Sequence, residues 1–313
     1  IIFEHFTKSR IITGIVLAAI SASMWGISGA VMQYVSQQYT LSAIWFLSLR
    51  TLSSGIILLL ISWFLYGSTI FQLFKSFKLI AWLLAYVIIG LMTNMLTFYW
   101  AIQTGNAAAA TILQYLSPLV IVLGSLLFKH ELPLRSDLIA FTLSLFGIFL
   151  ALTKGDFTQL SIPKISLFWG IISGITAACY IVFPRPILKE CPPLVVLGWG
   201  MFISGILFNF YHPLWSQPPH LSGKLILSLI TIILIGTILP FIFLLYSLHF
   251  APSDVVGIMD ALQPITATFL SILFLGVPFS WIELLGSLLV ILAIYLLQRG
   301  RKKLEDTPLN TNS

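Results

Sequence analysis

Apolar runs, each close to the length of a membrane-crossing helix, follow one another along almost the whole chain, with only brief polar segments between them. A helix rising about 1.5 Å per residue needs about 20 residues to cross a hydrocarbon core of about 30 Å. The pattern predicts ten such helices, over 11–35, 42–65, 79–103, 107–128, 137–153, 165–183, 194–214, 225–248, 253–275 and 280–298. Runs such as Ile226 to Ile235 are continuous, which excludes the alternating pattern of a membrane β-barrel strand. Gly14, Ala18, Ala22, Gly26 and Ala30 recur every four residues in the first span and share one helical face, as do Gly170, Gly174 and Ala178 in the sixth. Such stripes let neighbouring backbones approach closely, either as fixed packing or as a sliding contact.

A second regularity runs at much longer range. The tract from Ala107 to Gly147, with Pro118 and Glu131 as fixed points, recurs from Ala251 to Ala293 with Pro264 and Val277 at the matching positions. Both offsets are 146 residues (264 − 118 and 277 − 131). The chain therefore reads as a duplication. The expected fold is all-α and integral to the membrane, with ten transmembrane helices arranged as two inverted five-helix repeats. The first repeat covers 1–153 and the second 154–298, followed by a basic cytoplasmic tail over 299–313.

Composition agrees with that class, since 58% hydrophobic and 8% charged residues cannot clothe a water-exposed globule. The net charge of +6 does not point to nucleic acid, because the basic residues follow topology. With a cytoplasmic N-terminus, Lys8, Arg10, Lys75, Lys78, Lys129, Arg135, Arg185, Lys189, Arg299, Arg301, Lys302 and Lys303 face inward. Only Lys154, Lys164 and Lys224 face outward, and Arg50 alone falls inside a span. Both termini are thus expected in the cytoplasm of a multi-pass cell-membrane protein, most simply a bacterial inner-membrane one. The first span, preceded by Lys8 and Arg10, resembles a signal peptide as far as Ser23, yet its apolar character continues and it is expected to be retained. Cys179 and Cys191 show no CxxC spacing, and His5, His130, His212, His220 and His249 are scattered singly, so neither a disulfide, a metal site nor a cofactor is expected. No feature of the pattern sets an oligomeric state.

Several short elements are shared with a known family: Met24-Trp25-Gly26, Arg50, Tyr99-Trp100-Ala101 before Ala107 to Ala110, then Pro118, Glu131 and Gly147. The second half adds Tyr246, Ala251-Pro252-Ser253, Pro264 and Gly286. In order and spacing these resemble the EamA-type, ten-helix members of the drug/metabolite transporter superfamily, and the resemblance covers almost the whole chain. One departure is Val277, where the second copy usually carries an acidic residue; Glu283 follows six residues later. The resemblance implies export or exchange of small metabolites, often amino acids, through a central cavity open to alternate sides.

Polar groups deep in the spans are the candidate chemistry, because hydrocarbon penalises them unless they face protein, water or substrate. Asp260 lies about 9 Å along its helix from Asp254, too deep for an interfacial charge. The repeat offset sets it opposite Gln114, and each precedes its repeat proline by four residues. Two readings of Asp260 stay open: a substrate or proton-coupling group, or a structural partner of Arg50. Arg50 is read first as a structural charge, paired with a carboxylate such as Asp260 or Glu283 or with backbone carbonyls, and second as a clamp for a substrate carboxylate. Asn94, Tyr99, Trp100 and Gln103 end the third span, and Tyr246 matches Trp100 in the other half. Trp45, Trp169, Trp215 and Trp281 near span ends read as an interfacial belt. The expected substrate-binding set is Trp25, Asn94, Tyr99, Trp100, Gln114, Tyr115, Tyr180, Tyr246, Asp260 and Gln263, a pocket of aromatic walls with a few placed polar groups. Pro118, Pro240 and Pro264 lie within spans, as fixed kinks or as hinges.

A membrane enzyme would need a reactive constellation such as HExxH or paired catalytic carboxylates, and a purely structural protein would not need Asp260, Gln114 and Asn94 inside its spans. The chain has no GxxxxGK[ST] run for ATP. The reading is a secondary carrier, driven by solute exchange, the solute gradient or a coupled proton. Its leading substrates are amino acids, with nucleosides, sugars and organic acids as alternatives.

Overall fold

The computed structural model describes residues 8–130, 134–156, 159–216, 218–251, 256, 259–260, 262–278 and 280–305; Glu131, Pro252, Ser253 and Asp254 of the sequence motifs lie outside them. All regular elements among the described residues are helical. Eight helical stretches are long and apolar enough to cross a membrane, and two shorter apolar helices follow them. We label these α1 (Lys8–Gln38), α2 (Ala43–Tyr66), α3 (Phe77–Thr104), α4 (Ala107–Phe128), α5 (Arg135–Thr153), α6 (Lys164–Val182), α7 (Pro193–Tyr211), α8 (Gly223–Ser247), α9 (Leu262–Leu275) and α10 (Trp281–Glu305).

Local chemistry places the starts. Asn106 accepts the Ala109 N–H at 2.8 Å to open α4, and Ser222 accepts the Leu225 N–H at 3.2 Å to open α8. These caps satisfy donors that a helix leaves free at its first turn. Pro118 sits in the first turn of a fresh helical segment, Ser117–Lys129, after a break at Tyr115 and Leu116 inside α4. A proline there forfeits no internal hydrogen bond, so it redirects the helix instead of disrupting it.

The interval after α2 holds a 3-10 segment, Gly67–Lys75, that buries Ile70 and Leu73 and accepts the Trp199 indole N–H on the Ile70 carbonyl at 2.8 Å. One expectation is corrected. Trp45, read as an interfacial anchor, is 5% exposed, and its indole donates to the Leu214 carbonyl at 3.0 Å. Trp215 and Trp281 are exposed, as belt residues must be.

The largest interfaces all join a helix from the first half of the chain to one from the second: α2 with α7, α5 with α10, α3 with α6, α1 with α8 and α9, and α4 with α6. Lipid tails are as apolar as leucine, so helix association rests on close packing and polar contacts rather than on expelling water. The α5–α10 crossing shows the first device. A Cβ on Gly147 would lie 2.6 Å from the Gly286 carbonyl oxygen, and one on Gly286 would strike the Gly147 carbonyl in return. At the end of the same helix pair Lys154, just past α5, forms an ion pair with the buried Glu283 of α10 at 2.7 Å. Glu283 is therefore not the partner of Arg50.

Both α3 and α8 contain a wide, π-helical turn, Tyr86–Met92 and Leu234–Ile238. The turns end 146 residues apart (238 − 92), at the repeat offset. In each case a threonine hydroxyl bonds back five residues, Thr93 to Ile88 at 2.7 Å and Thr237 to Ile232 at 3.3 Å. A wide turn of this kind leaves nearby carbonyls available to other groups and is frequent at functional sites.

Candidate substrate site

The site grows from a polar stripe on α6. Ser173, Thr176 and Tyr180 follow at three and four residues, so they share one face, and α3 and α4 pack along it. Asn94 of α3 donates its amide to the Ser173 carbonyl at 2.9 Å, and its own oxygen accepts the Gln114 amide from α4 at 3.2 Å. Gln114 also reaches the Ser173 hydroxyl at 3.4 Å, and the hydroxyls of Thr97 and Thr176 meet at 3.4 Å. Three helices are thus pinned by a network in which each amide satisfies the next, the condition for keeping polar groups in apolar surroundings. Asn94 and Gln114 retain some accessible surface while Ser173 and Thr176 are buried behind them.

One turn further along α6, Tyr180 packs against Tyr86 with ring centroids 5.6 Å apart and lies near Arg50 of α2. Arg50 pairs with no carboxylate among the described residues. Its Nε donates to the Thr237 hydroxyl at 3.0 Å, its Nη2 to the Gly236 carbonyl at 3.2 Å and its Nη1 to the Met32 sulfur at 3.4 Å. The wide turn of α8 thus supplies two of the three acceptors, and of the structural partners expected for Arg50, the backbone carbonyl is the one observed.

Across the bundle, Asp260 precedes α9, and its backbone carbonyl accepts the Tyr115 hydroxyl. Tyr115, the neighbour of Gln114, makes the contact to Asp260, while Gln114 turns to Asn94. The Asp260 Oδ1 is buried with no hydrogen-bond partner among the described residues. The Gln263 N–H closes the turn on the Asp260 carbonyl at 3.0 Å. A small void near Tyr115 is lined by Pro118, Leu119, Ala140, Ser144 and Ala293.

The aromatic set divides. Trp25 packs edge-on against Phe241 at 5.2 Å, Trp100 packs on Trp169 at 4.5 Å, and both tryptophans stay half-buried. Tyr99 does not join them: it is 1% exposed and stacks on Phe46 of α2 at 4.6 Å, inside the core. Tyr246 lies outside the group as well, 56% exposed beside His249 and Phe250.

Gln33 is a further buried polar residue that joins helices and was not among those expected. It is 1% exposed, and its side-chain oxygen accepts the Ala107 N–H at the start of α4 (2.9 Å) and the Ser271 hydroxyl of α9 (3.2 Å). The signal was faint: Gln33 falls two residues from the expected end of the first span, where an amide reads as interfacial.

An all-helical apolar bundle with hydrogen-bonded amides and an arginine in its interior has the build of a membrane transport protein, and comparison with known proteins identifies which kind. The model of the EamA-like transporter family matches twice, over residues 12–153 and 164–299, and the chain belongs to that family. It is 34% identical over 290 residues to YicL, an uncharacterized inner membrane transporter of Salmonella typhimurium, covering 93% of this chain and 96% of that protein. An uncharacterized transporter of Helicobacter pylori is 28% identical over 167 residues, covering 52% and 55% of the two chains. A solved crystal structure shares the fold with a TM-score of 0.63 at 15% identity, over 95% of this chain and 99% of that one.

Proposed function

We propose that the protein is a secondary carrier that moves small metabolites, amino acids first among them, by alternating access through a central site between two inverted five-helix repeats. Ten spans, with both termini cytoplasmic, are part of this reading. Three features support it: the family model matches each half separately, the wide turns of α3 and α8 recur at the repeat offset, and the main interfaces join one half to the other.

The observation that carries the proposal is the set of polar groups within the bundle: the Asn94–Gln114–Ser173 network, Arg50 on the α8 turn, and the buried Asp260 Oδ1. Positive and negative groups on different helices, together with the amides and with Trp25, Trp100 and Tyr180, suit a zwitterion with an apolar side chain. In this reading Asp260 takes the ammonium end or a coupled proton.

Counterflow in proteoliposomes tests this. Liposomes preloaded with unlabelled amino acids are expected to accumulate the labelled amino acid. Gln114→Leu, which leaves the Asn94 oxygen without its donor, should cut the rate at least about tenfold, the equivalent of about 1.4 kcal/mol. Exchange of nucleosides, sugars or organic acids but of no amino acid would overturn the substrate assignment, and exchange of none of them would overturn the carrier.

A further inference from the structure

Building on the carrier reading, we propose that Arg50 is the docking point for a carboxylate of the transported solute. The position is deep. Arg50 stands seven residues into α2 from Ala43, about 10 Å along the helix, and its contacts come from α1 and α8 inside the bundle. A guanidinium at such depth is costly unless its charge is answered.

Nothing described answers it. The three acceptors it holds are a hydroxyl, a backbone carbonyl and a thioether, all neutral. The acidic side chains considered as its partners are elsewhere, with Glu283 paired to Lys154 and Asp260 beside Tyr115.

The donor inventory is more specific than the charge. A guanidinium has five N–H groups, of which Nε, one on Nη2 and one on Nη1 are engaged. One N–H on each terminal nitrogen has no acceptor among the described residues. Paired N–H groups of a guanidinium form a fork that can match the two oxygens of a carboxylate with parallel charge-assisted hydrogen bonds. Arg50 is half-buried rather than sealed, so part of the residue stays accessible within its setting.

The support behind the guanidinium has the form of a positioning device. The Nε and Nη2 groups are held by Thr237 and Gly236 of the wide turn, which orients the plane before any solute arrives. Tyr180 of α6 lies near it, one turn along that helix from Thr176, which the Asn94 amide contacts. A bound carboxylate would neutralise the cation and at the same time bridge α2, α6 and α8.

Three matched probes test the assignment on the purified full-length protein: L-leucine, 4-methylpentanoate, which lacks the ammonium, and isopentylamine, which lacks the carboxylate. Each is used as a competitor of counterflow and in thermal unfolding. The two carboxylates are expected to compete and to stabilise the wild type, the amine to do neither. Arg50→Lys keeps the charge but loses the fork and should weaken carboxylate competition at least about tenfold. Should that variant not fold, Thr237→Val leaves Arg50 in place without its orienting hydroxyl and should weaken competition in the same direction by a smaller factor. An amine competing as well as the acids, or unaltered competition in both variants, would overturn the Arg50 assignment and leave the carrier standing. A wild type that exchanges only solutes without an anionic group would have the same outcome, whereas a wild type that exchanges nothing would overturn both.

Discussion

Replacing Gly55 with valine is expected to remove nearly all folded protein from the membrane, the largest effect of any single substitution considered. A Cβ at Gly55 would lie 2.6 Å from the Phe202 Cα and also strike the Phe202 nitrogen, and one at Gly205 would lie 2.6 Å from both the Leu52 nitrogen and Cα. The contact is reciprocal: Gly55 meets Phe202, 147 residues away (202 − 55), and Gly205 meets Leu52, 153 residues away (205 − 52). Backbone meets backbone, so no rotamer change relieves the clash, and α2 and α7 must separate along one of the largest interfaces of the protein. Overpacking costs about 1–3 kcal/mol where side chains can adjust, and the upper end or beyond applies here. At Gly124 an added Cβ would meet nothing within 4 Å, so Gly124→Ala is the matched control and should be neutral. Size-exclusion profiles of fluorescently tagged variants measure the difference; a monodisperse Gly55→Val peak of wild-type height would contradict it.

The second large effect is expected at Gln33. Its single side-chain oxygen answers both the Ala107 N–H and the Ser271 hydroxyl, joining α1, α4 and α9 with 1% of the residue exposed. Gln33→Leu keeps the bulk but leaves two buried donors unmet, each costing about 1–3 kcal/mol. The apparent melting temperature should therefore fall clearly. Gln33→Glu should restore much of the loss, because a carboxylate still accepts both hydrogens and sits at the positive end of α4. Thermal unfolding of the purified variants decides it, and equal melting temperatures for Leu and Gln would rule out the latch.

Much of the fold was readable because hydropathy along a helix depends only on local residues. The first span was expected over 11–35 and runs to Gln38, and the seventh, expected over 194–214, ends at Tyr211. What pattern could not supply was the outcome of competition between neighbours. The wide turns of α3 and α8 depend on back-bonding by Thr93 and Thr237 and on which helix approaches Gly90 and Gly236, neither of which leaves a periodic trace.

The site divides in the same manner. Asn94 and Gln114 were expected from their polarity at depth, and they meet. Tyr99 shares a helical face with Gln103, but spacing does not reveal what that face packs against, and Phe46 takes the ring into the core. Arg50 was read first as a structural charge, yet only coordinates distinguish a carboxylate from the Gly236 carbonyl as its partner. The repeat offset aligned Asp260 with Gln114 to within one residue, and it is Tyr115 that touches Asp260.

The central claim is that one interior site communicates with each side of the membrane in turn. The most direct measurement places a single cysteine at Trp25, a half-buried position against Phe241, in a protein whose Cys179 and Cys191 have been changed to alanine. A membrane-impermeant maleimide is then applied to sealed vesicles of each orientation. The account predicts labelling from both faces, with a transported amino acid slowing both reactions. Labelling from one face only, or from neither, would contradict it.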